Sequence, residues 1–177
     1  VRLDKDDSYS SIWDDFMYNA PFSRATEVID LDQDGALETV TALTGYLSTV
    51  DSYVVSVYLW KEKTQILVFQ QMSMTIPCLV VGQFDSDPGL EIVLGIYGDY
   101  FNHLSDRGLY LLDANSTDLK DWVVTPIGPV GYAVQALLVV NINNNSIDDL
   151  VVAFKNSTMV SLGLFYDGDF QTSEWIV

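Results

Sequence analysis

Asp30-Leu31-Asp32-Gln33-Asp34-Gly35-Ala36-Leu37-Glu38 runs straight into Thr39-Val40-Thr41-Ala42-Leu43. Oxygen side chains fall at loop positions 1, 3, 5 and 9, with glycine at position 6. A hard cation such as Ca²⁺ gathers roughly 6–8 oxygens at short range, and a tight loop with alternate carboxylates can wrap them around one point. The residues on either side alternate and are β-branched, so they read as strands. The expectation is a metal loop inside a β-hairpin.

The nine-residue frame returns twice. Gln83-Phe84-Asp85-Ser86-Asp87-Pro88-Gly89-Leu90-Glu91 leads into Ile92-Val93-Leu94. Asn141-Ile142-Asn143-Asn144-Asn145-Ser146-Ile147-Asp148-Asp149 leads into Leu150-Val151-Val152-Ala153. The ninth positions, Glu38, Glu91 and Asp149, stand 53 and 58 residues apart. A repeat of that length, with several short strands per unit, points to the blades of a β-propeller. The first loop opens like an EF-hand, but the bidentate Glu that an EF-hand needs at position 12 is Thr41 here.

Apolar alternation places strands around this frame. In the first unit they are expected at 25–29, 38–43, 53–60 and 65–70. The second unit gives 78–84, 91–97, 108–113 and 121–125, and the third gives 135–140, 149–154, 160–167 and 173–177. Residues 1–13 align without a gap to 110–122, sharing Leu-Asp and a Trp nine residues later. The expected organisation is therefore the end of a preceding blade over 1–20 and blades over 21–73, 74–128 and 129–177. Together they make an all-β propeller segment of about three and a half four-stranded blades. Since propellers close with about 4–8 blades, such a segment is expected to belong to a longer polypeptide. The first strands of the second and third units are nearly all apolar, as strands buried on both faces are.

Bulk composition narrows the function. The 177 residues are 49% hydrophobic and 12% aromatic, enough for a substantial core. Acidic residues number 25 against 8 basic, a net charge of −17. Nucleic acid is excluded as a natural partner, because phosphate neutralisation needs a basic face. An anionic membrane surface is disfavoured for the same reason. No apolar run reaches the ~20 residues that span a bilayer. One cysteine, Cys78, rules out an internal disulfide and reads as a small hydrophobe in a buried strand. No signal segment stands at Val1, so any targeting sequence is expected outside this stretch.

No catalytic constellation emerges, and the chain is read as non-enzymatic. The single histidine, His103, has no metal-ligand spacing around it. Asp14-Asp15 and Asp148-Asp149 are adjacent acids, and neighbours on a strand point to opposite faces. Trp13, Trp60, Trp122 and Trp175 lie near strand ends and read as packing residues. Tyr97, Tyr100, Phe101 and His103 form the best candidate contact surface. Asn115, Asn144 and Asn156 each head an Asn-x-Ser/Thr sequon, a glycan acceptor in a secreted chain.

The Asp-x-Asp-x-Asp-Gly-x-x-Glu frame before an apolar strand resembles the FG-GAP and related VCBS repeats, the blades of integrin α-subunit-type propellers. Gly131-Tyr132-Ala133-Val134-Gln135-Ala136 ahead of the third loop adds to the likeness. The resemblance covers most of residues 25–177. It implies Ca²⁺ held between the first two strands of each blade, by Asp30, Asp32, Asp34 and Glu38 in the first. The matching positions are Gln83, Asp85, Asp87 and Glu91 in the second blade and Asn141, Asn143, Asn145 and Asp149 in the third. Departures are Gln83 for the first acid, Pro88 for the glycine, and three asparagines in the last loop. Affinity falls with lost charge, so the first loop is expected to bind best and the third worst. The implied function is a calcium-stabilised, extracellular structural or cell-adhesion glycoprotein module. Its partner would be a protein, a glycan or further blades. Lectin-like glycan binding, or service as an accessory domain of a secreted hydrolase or lyase, is the alternative.

Overall fold

The computed structural model describes residues 22–47, 52–61, 64–72, 77–87, 89–97, 107–114, 119, 121–129, 132–155, 160–170 and 173–176. Twelve strands and no helix occur among them. The first four are β1 (Phe22–Ile29), β2 (Glu38–Leu47), β3 (Ser52–Lys61) and β4 (Thr64–Met72). They are followed by β5 (Pro77–Gly82), β6 (Glu91–Ile96), β7 (Gly108–Ala114) and β8 (Trp122–Ile127). The last four are β9 (Ala133–Val140), β10 (Asp149–Lys155), β11 (Val160–Phe165) and β12 (Ser173–Ile176). Each set of four pairs in chain order as an antiparallel meander, giving three four-stranded sheets. The stretch 1–20, expected to end a preceding blade, lies outside the described residues.

β11 stops at Phe165, two residues before the alternation predicts. The chain reverses there because Asp167 and Gly168 adopt φ of 50° and 69°, and the Asp169 N–H reaches the Tyr166 carbonyl at 2.8 Å. Two successive left-handed residues make a tight turn within the connection to β12, and Asp-Gly is a favoured pair for it.

The sheets stack face to face in chain order, with β5 lying against both β1 and β9. One core lies between the first two sheets. Val40, Val55, Val57 and Leu59 of the first meet Leu79, Ile92, Leu94 and Ile96 of the second. The second core lies between the second and third sheets, where Val93 and Leu109 meet Val134, Leu150, Val152, Phe154 and Phe165. The middle sheet is thus covered on both faces, and all six residues of β6 are buried. Full burial of each such aliphatic side chain contributes roughly 1.5–3 kcal/mol. Gly95 lets β6 and β9 approach closely: a Cβ there would sit 2.4 Å from Val134 Cγ1 and 2.6 Å from Cys78 Sγ.

The far face of the third sheet is partly open among the described residues, although Leu164 on that face is buried. Opposed pairs share a face in an antiparallel ladder, so Leu138 groups with Val151, and Ala136 with Ala153 and Leu162. Leu138 is 57% exposed and Leu162 40%. β9 therefore differs from the expectation of a strand buried on both faces, since among the described residues nothing covers its far side. The three described sheets form an open stack rather than a closed ring.

Candidate metal centre

The three frames all lie between the first and second strands of their sheets, and their backbones are built alike. The ninth-position acid opens the second strand and is buried: Glu38 in β2, Glu91 in β6, Asp149 in β10. Each accepts the position-two backbone N–H. Leu31 donates to Glu38 Oε2 at 2.8 Å, Phe84 to Glu91 Oε2 at 2.5 Å, and Ile142 to Asp149 Oδ2 at 2.8 Å. Positions 3 and 5 each accept the N–H two residues on. Asp32 and Asp34 do so at 3.3 and 2.8 Å, Asp85 and Asp87 at 2.8 Å each, and Asn143 and Asn145 at 3.2 and 2.8 Å. These are Asx turns, in which a short polar side chain substitutes for a backbone turn. They curl the loop and turn its oxygens inward.

Position 1 varies. Asp30 Oδ2 accepts the Gly35 N–H at 2.9 Å, made possible by a Gly35 φ of 90°. Gln83 instead donates its amide to the Asp85 and Asp87 carbonyls, and Asn141 donates to the Asn145 carbonyl. Carboxylates converge in two loops. One ligand atom each from Asp30, Asp32 and Glu38 lie within 4.8 Å of one another, as do those of Asp85, Asp87 and Glu91. Both clusters could hold a metal ion. The fit is marked in the first loop by buried Asp30 Oδ1 and Glu38 Oε1, neither of which has a hydrogen-bond partner. Unpaired buried carboxylate oxygens are costly, and a bound cation would satisfy both.

The end of the third strand supplies what sequence reasoning missed, and it differs in every sheet. In the first, Lys61 at the end of β3 places its Nζ on Asp32 Oδ2 and 2.7 Å from Asp34 Oδ2. This ammonium holds the Asp34 carboxyl below the usual range, while Asp32 first and then Asp34 hold the lysine's own pKa up. In the second, Asp113 follows the Ile92–Leu112 pair and so faces Glu91. Burial first, then Asp85 and Asp87, push the Asp113 carboxyl up. Burial pushes Glu91 up to about 8; the Phe84 N–H opposes this, while Asp85, Asp87 and Asp113 add to it. In the third, Asp167 Oδ1 accepts both the Asn143 and the Asn145 amides at 2.6 Å, which holds its carboxyl low. The Asp167 N–H in turn reaches Asp149 Oδ1 at 3.0 Å. The available signal was register: Lys61 and Asp113 each follow the residue paired next to loop position nine, Glu38 and Glu91, whereas Asp167 lies one residue beyond that register in the third sheet.

Neighbouring loops also join. The position-eight N–H of Leu90 donates to the Leu31 carbonyl at 3.1 Å, and that of Asp148 to the Gln83 carbonyl at 2.6 Å. Asp148 Oδ2 accepts the Gln83 N–H at 2.9 Å. Asp148 therefore clamps the third sheet to the second, and only its neighbour Asp149 turns into the loop.

The remaining sequence candidates are scattered. Tyr97 is half-buried, with Lys155 Nζ 6.0 Å from its ring centroid. Tyr100, Phe101 and His103 lie outside the described residues, as do Asn115, Asn156, Asp14, Asp15 and Trp13. Asn144 is exposed with φ of 57°, matching the 59° of Gln33 at the same loop position. Trp60 packs on Leu43, Val54 and Tyr58, and Trp122 packs on the first core with its Nε1 2.9 Å from the Leu119 carbonyl. No family model, no curated protein and no solved structure matches this chain.

Proposed function

We propose that this chain is a calcium-stabilised β-propeller module of the FG-GAP/VCBS type, extracellular and non-catalytic, used for adhesion or structural assembly. The observation that carries the reading is the shared hairpin architecture. Three successive sheets present the same loop frame at the same place, and two of the loops converge three carboxylates each. Hard carboxylate oxygens in a flexible loop suit Ca²⁺ better than a soft or strictly octahedral metal. The sheets are read as consecutive blades, because each packs its face on the next in chain order. The exposed apolar residues on the far face of the third, Leu138, Val160 and Leu162, are what a further blade would cover.

Millimolar extracellular Ca²⁺ is the regime in which such modules are occupied. The second loop is the strongest site in this reading, ahead of the first, which reverses the order expected from carboxylate count. It gathers Asp85, Asp87, Glu91 and Asp113 with no ammonium among them, whereas Lys61 already neutralises part of the first. The third loop is a closed network of amides on Asp167 and needs no ion. Of the expected contact surface for a glycan, Tyr97 is the residue described.

Calorimetric titration and thermal melting test the reading. A cation that binds only the folded state adds about 2.7 kcal/mol per site at a hundredfold excess over Kd. Ca²⁺ should therefore raise the melting temperature, and Asp85→Asn should remove more of that rise than Asn143→Ala. Identical melts with Ca²⁺ and with chelator, at matched ionic strength, would sink it.

A further inference from the structure

We propose that Lys61 is a built-in cation of the first hairpin loop, an ammonium that an incoming divalent ion must displace. The inference rests on the Ca²⁺ reading of these loops and adds a control element to one of them. β3 delivers Lys61 next to the loop, one residue past the Thr39–Trp60 pair, and its Nζ bridges Asp32 and Asp34. The Asp32 side chain is only 3% exposed, so this is a shielded contact rather than a surface pairing. Charge-assisted bonds of this kind are the strong ones.

The lysine serves only half of the cage. Asp30 Oδ1 and Glu38 Oε1, on residues grouped with Asp32, are buried and have no hydrogen-bond partner. Those two atoms point to a second ligand that the ammonium does not replace. A divalent ion placed where Asp30, Asp32 and Glu38 converge would satisfy both. It would also share Asp32 with the ammonium, and two cations on one carboxylate repel across a few ångströms. The lysine side chain keeps 23% of its surface exposed on a flexible four-carbon stem, so it can swing out to water.

The other loops sharpen the assignment. The second carries Asp113 at the corresponding place, and the group that reaches the third loop is Asp167, one residue further on; both are anions. Displaceable neutralisation is therefore a property of the first loop alone among the described three. Its consequence is a hairpin that holds its shape without an ion and binds one more weakly than its four acids imply.

The test uses the whole chain carrying Asp85→Asn and Asp87→Asn, which silences the second loop, with and without Lys61→Gln. Ca²⁺ affinity is read by calorimetry and folding by circular dichroism. Breaking two charge-assisted bonds on ion entry should weaken the lysine form by about tenfold or more, so Lys61→Gln should bind that much more tightly. In chelator Lys61→Gln should melt below its parent, and Ca²⁺ should restore it. Lys61→Arg, which keeps a cation, should stay within a few-fold of the parent's affinity and guards against a glutamine variant that folds only with ion. Equal or weaker binding by Lys61→Gln overturns the proposal, as does an unchanged melt in chelator. An ion bound by the wild type but by neither loop-two-silenced form overturns it while leaving the Ca²⁺ reading intact. A wild type that binds no Ca²⁺ overturns both.

Discussion

Glu91 shows how one buried side chain sets a pH dependence. Its ordinary value of 4.5 rises to about 8 in the fold, first through burial and then through Asp85, Asp87 and Asp113, against the Phe84 N–H. A folded value above the unfolded one means that the fold binds the extra proton. Without metal, stability is then fully present below about pH 4.5 and lost as pH rises through about 8. Glu38 is raised in the same sense, chiefly by burial. The ion-free protein should therefore melt higher at pH 5.5 than at pH 8, and Glu91→Gln should flatten much of that slope. A metal cation inverts the balance by favouring the carboxylate, so the slope should shrink in Ca²⁺. Cys78 gives a second test at this scale. Burial pushes its thiol up to about 12, against weaker backbone hydrogen bonds. The thiolate is the reactive form, so alkylation at pH 8 should be slow in the native protein and rapid once it is denatured.

Among the elements, the hairpins work as a linked row. Gly168 in the turn after β11 lies so close to the second loop that a Cβ would stand 1.8 Å from the Phe84 carbonyl oxygen. Gly168→Ala must push that turn off its neighbour, in addition to straining a left-handed φ of 69°. Its cost should exceed ~2 kcal/mol, since overpacking alone takes about 1–3 kcal/mol. Gly35 is the control. Its φ is 90°, but nothing lies within 4 Å of the added Cβ, so Gly35→Ala should cost only the backbone term of about 1–2 kcal/mol. Chemical denaturation of the two variants measures the difference directly. A Gly168→Ala no worse than Gly35→Ala would mean that the loops are not docked.

Across the whole molecule, the two faces of the third sheet should respond in opposite ways. Val152 is fully buried between the second and third sheets. Val152→Asp would place an unpaired charge there and should cost more than ~3 kcal/mol, enough to unfold a marginal domain. Leu138 looks away from that core and is 57% exposed. Leu138→Asp should leave the melting temperature of this 177-residue chain within the ordinary scatter of surface changes, about ±0.5 kcal/mol. It should also lower any self-association, because an exposed apolar sheet face invites pairing. Thermal melting and sedimentation of the two variants check both statements.

Local chemistry made the strands and the loop frame legible. Alternating β-branched residues report a pleated, half-buried surface within a few positions of themselves. The Asp-x-Asp-x-Asp spacing curls its own backbone, since every bond that shapes it spans only a few residues, from Ala36 N–H to Asp34 up to Leu31 N–H to Glu38. An all-β chain of repeated hairpins with inward carboxylates is thus legible from local pattern. That pattern does not reveal the charge that faces each loop. Lys61 is 29 residues from Asp32, and Asp167 is 24 from Asn143. Asp148 meets Gln83 across 65 residues. Antiparallel pairing and sheet stacking bring those groups together, and a contact so distant in sequence leaves no local period to read. Three loops of one pattern therefore acquire three different electrostatic settings. Tertiary structure alone decides this, because Coulomb interaction depends on distance in space rather than along the chain.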